Sequence, residues 1–112
     1  MKDIFDRFYS NIMNESFNED TPFLPEVKLI RADGKNPFPN AGDNIGLRNK
    51  LGGRPDWIQN DETPVCEKCG KKMFFYGQLD SYDHDHNIGD CGMIYVFYCP
   101  ECMEDKTIVQ SY

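Results

Sequence analysis

Apolar residues crowd most densely in two stretches of the C-terminal half, Met73-Phe74-Phe75-Tyr76-Gly77-Gln78-Leu79 and Met93-Ile94-Tyr95-Val96-Phe97-Tyr98-Cys99. Both are rich in aromatic and branched side chains and bounded by turn residues, the pattern of strands. Thr107-Ile108-Val109-Gln110-Ser111-Tyr112 is a weaker third strand, and Val27-Lys28-Leu29-Ile30 is a short one closed by the turn signal Ala32-Asp33-Gly34-Lys35. Near the N-terminus the spacing changes. Ile4, Phe5, Phe8, Ile12 and Met13 recur at helical intervals, with Asp3 placed to cap and Asp6 in the favourable first turn. This predicts a helix over residues 3–14, its apolar stripe turned to the core. Residues 14–25 form a polar, Pro-bearing connection, and residues 36–56 are mostly loop, with Phe38, Ile45, Leu47 and Leu51 available for packing. Irregular stretches of that length in small domains are often functional.

These elements predict an α+β fold: mainly an antiparallel β-sheet, with a zinc-ribbon-like hairpin and an N-terminal helix. The chain of 112 residues reads as a single domain, with the helix, short strand and loop in residues 1–43 and a cysteine-bearing region in residues 44–112. Seven Pro and nine Gly imply many turns, and a small loop-rich chain gains from an added staple.

The cysteines supply a candidate. Cys66-x-x-Cys69 stands just before the first strong strand, and Cys99-x-x-Cys102 at the end of the second. If the two strands pair antiparallel, the start of one lies beside the end of the other, and the pairs meet across the 29 residues between Cys69 and Cys99. Two such knuckles carry the four soft ligands of a tetrahedral zinc site. Gly70 permits the positive φ such a turn uses, and Pro100 fits a tight turn. The expectation is one structural Zn²⁺ per chain on Cys66, Cys69, Cys99 and Cys102, with no coordination position open for catalysis. A thioredoxin-like pair fits less well, because that motif opens a helix.

Charge narrows the partners. The chain carries 12 Lys+Arg against 19 Asp+Glu, a net charge of −7. Both halves are acidic and neither holds a basic patch, so no nucleic acid and no membrane surface is expected as partner. A basic protein is the charge-compatible macromolecule. No run approaches a membrane span, and the N-terminus interrupts its apolar pattern with charges, unlike a signal peptide. Paired cysteines in such a chain suit a reducing, cytoplasmic setting.

Other chemistry is thinner. Cys91, His84 and His86 offer a Cys–His pair, but no orienting group or oxyanion site accompanies them, so no catalytic residue is assigned. Asp83, Asp85 and Asn87 match the first, third and fifth places of an EF-hand loop, whereas Ile88 and Ile94 occupy its glycine and glutamate places. A solvated hairpin loop is the simpler reading of this acidic stretch, which Asp80 and Asp90 flank.

Lys50-Leu51-Gly52-Gly53-Arg54-Pro55-Asp56-Trp57-Ile58-Gln59 is followed by Pro64-Val65-Cys66, Met73-Phe74-Phe75, Gln78-Leu79-Asp80-Ser81, Gly89-Asp90-Cys91-Gly92 and Tyr95-Val96-Phe97. In this order the motifs resemble the bacterial YwqG-like family, a domain of unknown function. More distantly they resemble programmed cell death protein two and its relatives. The resemblance spans about residues 44–112. It implies a β-rich fold, and through the eukaryotic relatives a chaperone role toward a basic ribosomal protein. Trp57 in this motif is either a corner packed into the core or the wall of a groove for a partner segment.

Taken together, the sequence predicts a non-catalytic, zinc-stabilised protein-binding module, chaperone-like or immunity-type, toward a basic protein. The alternatives are an enzyme of unknown type with a cleft near Cys91, His84 and His86, and a nucleic-acid-binding zinc ribbon, which the charge disfavours.

Overall fold

The computed structural model describes residues 23–112. Five strands occur in chain order: β1 (Val27–Lys28), β2 (Lys50–Leu51), β3 (Phe74–Asp80), β4 (Met93–Cys99) and β5 (Glu104–Gln110). They form one sheet in the order β1-β2-β3-β4-β5, every neighbouring pair antiparallel. The described residues are therefore all-β. This corrects the α+β expectation, because they contain strands and no helix. The helix expected over residues 3–14 lies outside the described residues.

β4 alternates as its sequence implies. Met93, Tyr95, Phe97 and Cys99 are buried on one face, and Ile94, Val96 and Tyr98 are half-buried on the other. β3 breaks that period. Phe75 pairs with Phe97 and Gly77 with Val96, which leaves Tyr76 as an extra residue in a β-bulge. Beyond the bulge the faces exchange, so Gln78 opposes Tyr95 and Asp80 opposes Met93 on the core face, while Leu79 turns outward and is 52% exposed. Strict alternation from Phe75 would have buried Leu79 instead. Gly77 is required at the bulge, because a Cβ there would meet the Lys50 carbonyl at 2.6 Å.

Among the described residues, the core face is covered by an irregular segment rather than by a second sheet or a helix. Gly52 and Gly53 both take positive φ, and a Cβ on Gly52 would collide with the Pro25 carbonyl. The turn they make sends residues 54–60 back across the sheet. Buried polar side chains of the strands hold that segment's backbone. Gln78 accepts from the Asp56 N–H through Oε1 at 3.0 Å and donates to the Arg48 carbonyl at 2.7 Å. The Tyr95 hydroxyl donates to the Asp56 carbonyl at 2.7 Å and accepts from the Ile58 N–H at 3.2 Å. Gln110 accepts from the Gln59 N–H at 2.9 Å and donates to the Asn60 carbonyl at 2.7 Å. A segment laid on the core needs partners for the peptide groups that it turns inward, and these three residues supply them. Trp57 is laid against Tyr95 at 4.5 Å and stacked on Phe97 at 5.8 Å.

Candidate metal centre

The hydrophobic core is built on Met73, Phe75, Met93, Tyr95 and Phe97, and it runs without interruption into Cys66 and Cys99. The antiparallel pairing of β3 with β4 brings the start of one beside the end of the other, as the cysteine placement requires. Each cysteine pair sits in a turn of the same construction. In the first, the Gly70 N–H donates to the Cys66 carbonyl at 2.8 Å; in the second, the Met103 N–H donates to the Cys99 carbonyl at 2.8 Å. Gly70 and Met103 both take positive φ, 75° and 55°. The first turn uses the residue suited to that conformation, and the second holds a methionine in it. Lys71 with Glu101 at 2.9 Å and Lys68 with Glu104 at 3.6 Å tie the two turns together across the surface.

The four sulfurs of Cys66, Cys69, Cys99 and Cys102 lie within 4.8 Å of one another. Cys69 and Cys99 approach to 3.7 Å, and all four cysteines are free thiols. A tetrahedral ion with metal–sulfur bonds of ~2.3 Å places its sulfurs ~3.8 Å apart, so the cluster has the dimensions of a four-thiolate site. Its electrostatics are uneven. The backbone N–H groups of Cys69 and Lys68 point at the Cys66 sulfur and, against the opposing effect of burial, hold its pKa down to about 7. Burial raises the Cys99 pKa, and burial together with the neighbouring sulfurs pushes Cys102 up to about 12. Four crowded thiols resist full ionisation on their own, and a bound cation reverses that preference. These cysteines thus form a site able to bind a metal, and it is the one such group of His, Cys, Asp and Glu side chains among the described residues.

The other sequence candidates do not converge. His84 packs edge-on to Phe38, with ring centres 5.1 Å apart. His86 turns to Asp83 at 2.7 Å, and the Cys91 thiol makes no hydrogen bond to either imidazole. Cys91 instead contributes backbone: its N–H donates to Asn87 Oδ1 at 3.0 Å, and its carbonyl accepts from Arg48 at 3.3 Å. Asp83 Oδ1 accepts from the N–H groups of Asp85 and His86, which lowers the Asp83 pKa together with the larger effect of the His86 side chain. The EF-hand-like oxygens of Asp83 and Asn87 therefore organise a turn.

Asp80, read as flanking the acidic loop, is buried instead. Its carboxylate accepts from Arg48 Nε and a second guanidinium N–H, both at 2.9 Å, and from the backbone N–H groups of Gly46, Arg48 and Ser81. Burial alone would lower the Arg48 pKa, but Asp80 outweighs it and the net shift is upward. Lys50, also buried, reaches Glu26 at 2.9 Å and Asp56 at 3.2 Å. Sequence reasoning missed this second, polar cluster of Arg48, Lys50, Gln78 and Asp80. Lys50, Gln78 and Asp80 fall within the motif stretches quoted above, whereas Arg48 lies outside them and nothing local in the sequence pairs it with Asp80.

Fold and site together define an antiparallel sheet domain with a four-cysteine, metal-competent clamp at one end of its central hairpin. The chain is similar to the uncharacterised protein YpfL of Salmonella typhimurium strain LT2, with 37% identity over 63 residues. The match covers 56% of this chain and 15% of that protein. No protein-family model matches the chain, and no solved structure does. Among the described residues no helix is long and apolar enough to cross a membrane.

Proposed function

We propose that the domain is a non-catalytic, zinc-stabilised protein-binding module for a basic protein, as the distant resemblance to a ribosomal-protein chaperone also implies. The observation that carries the metal half is the packing of four free cysteine sulfurs within 4.8 Å at the end of the core. Four thiolates favour Zn²⁺ over oxygen-preferring ions, and a closed four-sulfur shell is a structural rather than a hydrolytic arrangement. Cys66, Cys69, Cys99 and Cys102 would hold the ion and supply folding free energy on the order of 10 kcal/mol. The partner half is supported by the net charge of −7 and by the separation of Cys91 from the histidines. Two measurements test the reading. Elemental analysis of freshly purified, unchelated protein should give one zinc per chain, and a metal-free preparation that folds normally overturns the clamp. A pull-down from the source cell should recover a basic protein that dissociates as salt rises. Turnover in a small-molecule screen without any protein partner favours the enzyme instead.

A further inference from the structure

A cleft of about 770 Å³ opens beside β1 and β2, and no cysteine lines it. The cations at its base are engaged from within. Arg48 is bound to Asp80, and Lys50, its side chain 8% exposed, lies between Glu26 and Asp56. The carboxylates that hold Lys50 reach outward, with side chains 43% and 54% exposed. Asp43 joins them at the rim, where its Oδ2 accepts from the Tyr112 hydroxyl at 3.0 Å. Each of the three carboxylates uses one oxygen in these contacts. Glu26 Oε2, Asp43 Oδ1 and Asp56 Oδ1 have no hydrogen-bond partner among the described residues. Against them stands one exposed cation, Lys28. The apolar walls are Leu47, Ile58 and Trp57.

Trp57 also borders a second cleft of about 290 Å³ floored by Met73, Phe75 and Phe97. Its indole thus divides a carboxylate-lined recess from an aromatic one. A ligand for the first recess needs positive charge to meet the open carboxylate oxygens, and a flat or apolar body to lie on the indole. Arginine meets both needs: its guanidinium forks onto carboxylates and stacks on aromatic faces, and its stem is apolar.

We propose that this cleft receives an arginine side chain of the basic partner, which rests on the partner reading given above. Lys50 then acts as a positioning residue that fixes Glu26 and Asp56 at the rim. The probe is N-acetyl-arginine amide, with N-acetyl-citrulline amide as its neutral isostere, titrated at low salt into the metal-loaded protein. Trp57 is the single tryptophan, so its fluorescence reports the site directly. The arginine compound should quench Trp57 and move the amide resonances of Asp43, Asp56 and Trp57, and the citrulline compound should do neither. In Glu26→Gln/Asp43→Asn the affinity should fall about tenfold, the size expected from two rim charges. If Glu26→Gln loosens Lys50, Asp43→Asn alone carries the test, because asparagine tolerates the positive φ at that position. Equal binding of citrulline, resonance changes centred elsewhere, or unchanged affinity in a folded variant overturns the proposal. The recovered partner separates this inference from the reading beneath it. A basic partner that binds wild type and variant alike overturns the cleft and leaves the partner class standing. Failure to recover any basic protein, with the arginine compound seated in the cleft, overturns the partner class and leaves the cleft's chemistry standing.

Discussion

Asp80→Ala is the perturbation that the polar cluster makes most consequential. The Asp80 side chain is fully buried, and the Arg48 side chain that it holds is 9% exposed. Removing one member of a buried ion pair costs about 3–5 kcal/mol, because the remaining charge is left without a partner. The same change strips an acceptor from the Gly46, Arg48 and Ser81 N–H groups, at 2.7, 3.0 and 2.8 Å. Even with water reaching some of them, these add on the order of 1 kcal/mol each. A domain of this size is stable by about 5–15 kcal/mol, so Asp80→Ala should remove most of its margin. Urea unfolding of the metal-loaded protein, followed by Trp57 fluorescence, measures the loss. The double variant Arg48→Met/Asp80→Leu removes both charges and should recover the ion-pair part of the loss, leaving about 2–3 kcal/mol from the N–H groups that still lack the Asp80 acceptor. A loss below about 1 kcal/mol in Asp80→Ala would refute the reasoning, since it would mean that Arg48 finds water or another acceptor at no cost.

Three further outcomes follow from the metal centre. Cys91→Ser should leave zinc content and melting temperature nearly unchanged, whereas Cys69→Ser should release the metal and destabilise the fold; loss of metal in Cys91→Ser would reopen the ligand assignment. Cys99 and Cys102 hold protons above the ordinary thiol value in the metal-free state, so zinc binding at pH 7 should release at least those two protons. Affinity should then climb about a hundredfold per pH unit near neutrality and fall on acidification, and calorimetry in buffers of different ionisation enthalpy reads the proton count. Met103→Gly should raise stability by about 1 kcal/mol, because Met103 takes φ 55° with its side chain in solvent; equal or lower stability in urea would show that the turn is not strained.

How much of this was legible depended on whether the signal was local. β4 was legible residue for residue, since its alternation is unbroken from Met93 to Cys99. The meeting of the two cysteine pairs was legible too, because hairpin geometry alone forces it. The branched residues predict a strand from Thr107, whereas β5 begins at Glu104. Glu104, Asp105 and Lys106 look like turn residues, and pairing with Cys99, Tyr98 and Phe97 draws them into the ladder. β2 was hidden inside a predicted loop, since two residues before a Gly-Gly turn carry no periodicity. The inward turn of Gln78 and Asp80 was hidden by the bulge at Tyr76: one extra residue reverses every side chain after it, and nothing local announces it.

The bulge also explains why one sheet face holds two kinds of chemistry. On the cysteine side of Tyr76 the face is Phe75, Phe97 and Cys99, which belong to the apolar core together with Cys66. On the other side it is Gln78, Asp80, Lys50 and the Tyr95 hydroxyl, which are buried too and, Lys50 apart, hydrogen-bond an irregular backbone. Residues 54–60 need both. Their peptide groups take hydrogen bonds from the polar end, and Trp57 takes its stacking partners, Tyr95 and Phe97, from the aromatic end. A sheet apolar throughout would leave the half-buried Asp56 and Gln59 N–H groups without their side-chain acceptors, and a sheet polar throughout would give the indole nothing to lie on. The orientation of Trp57 is therefore fixed from two directions at once. That is the condition for an exposed indole edge to serve as a rigid wall between two clefts rather than as a side chain that adapts to whatever arrives.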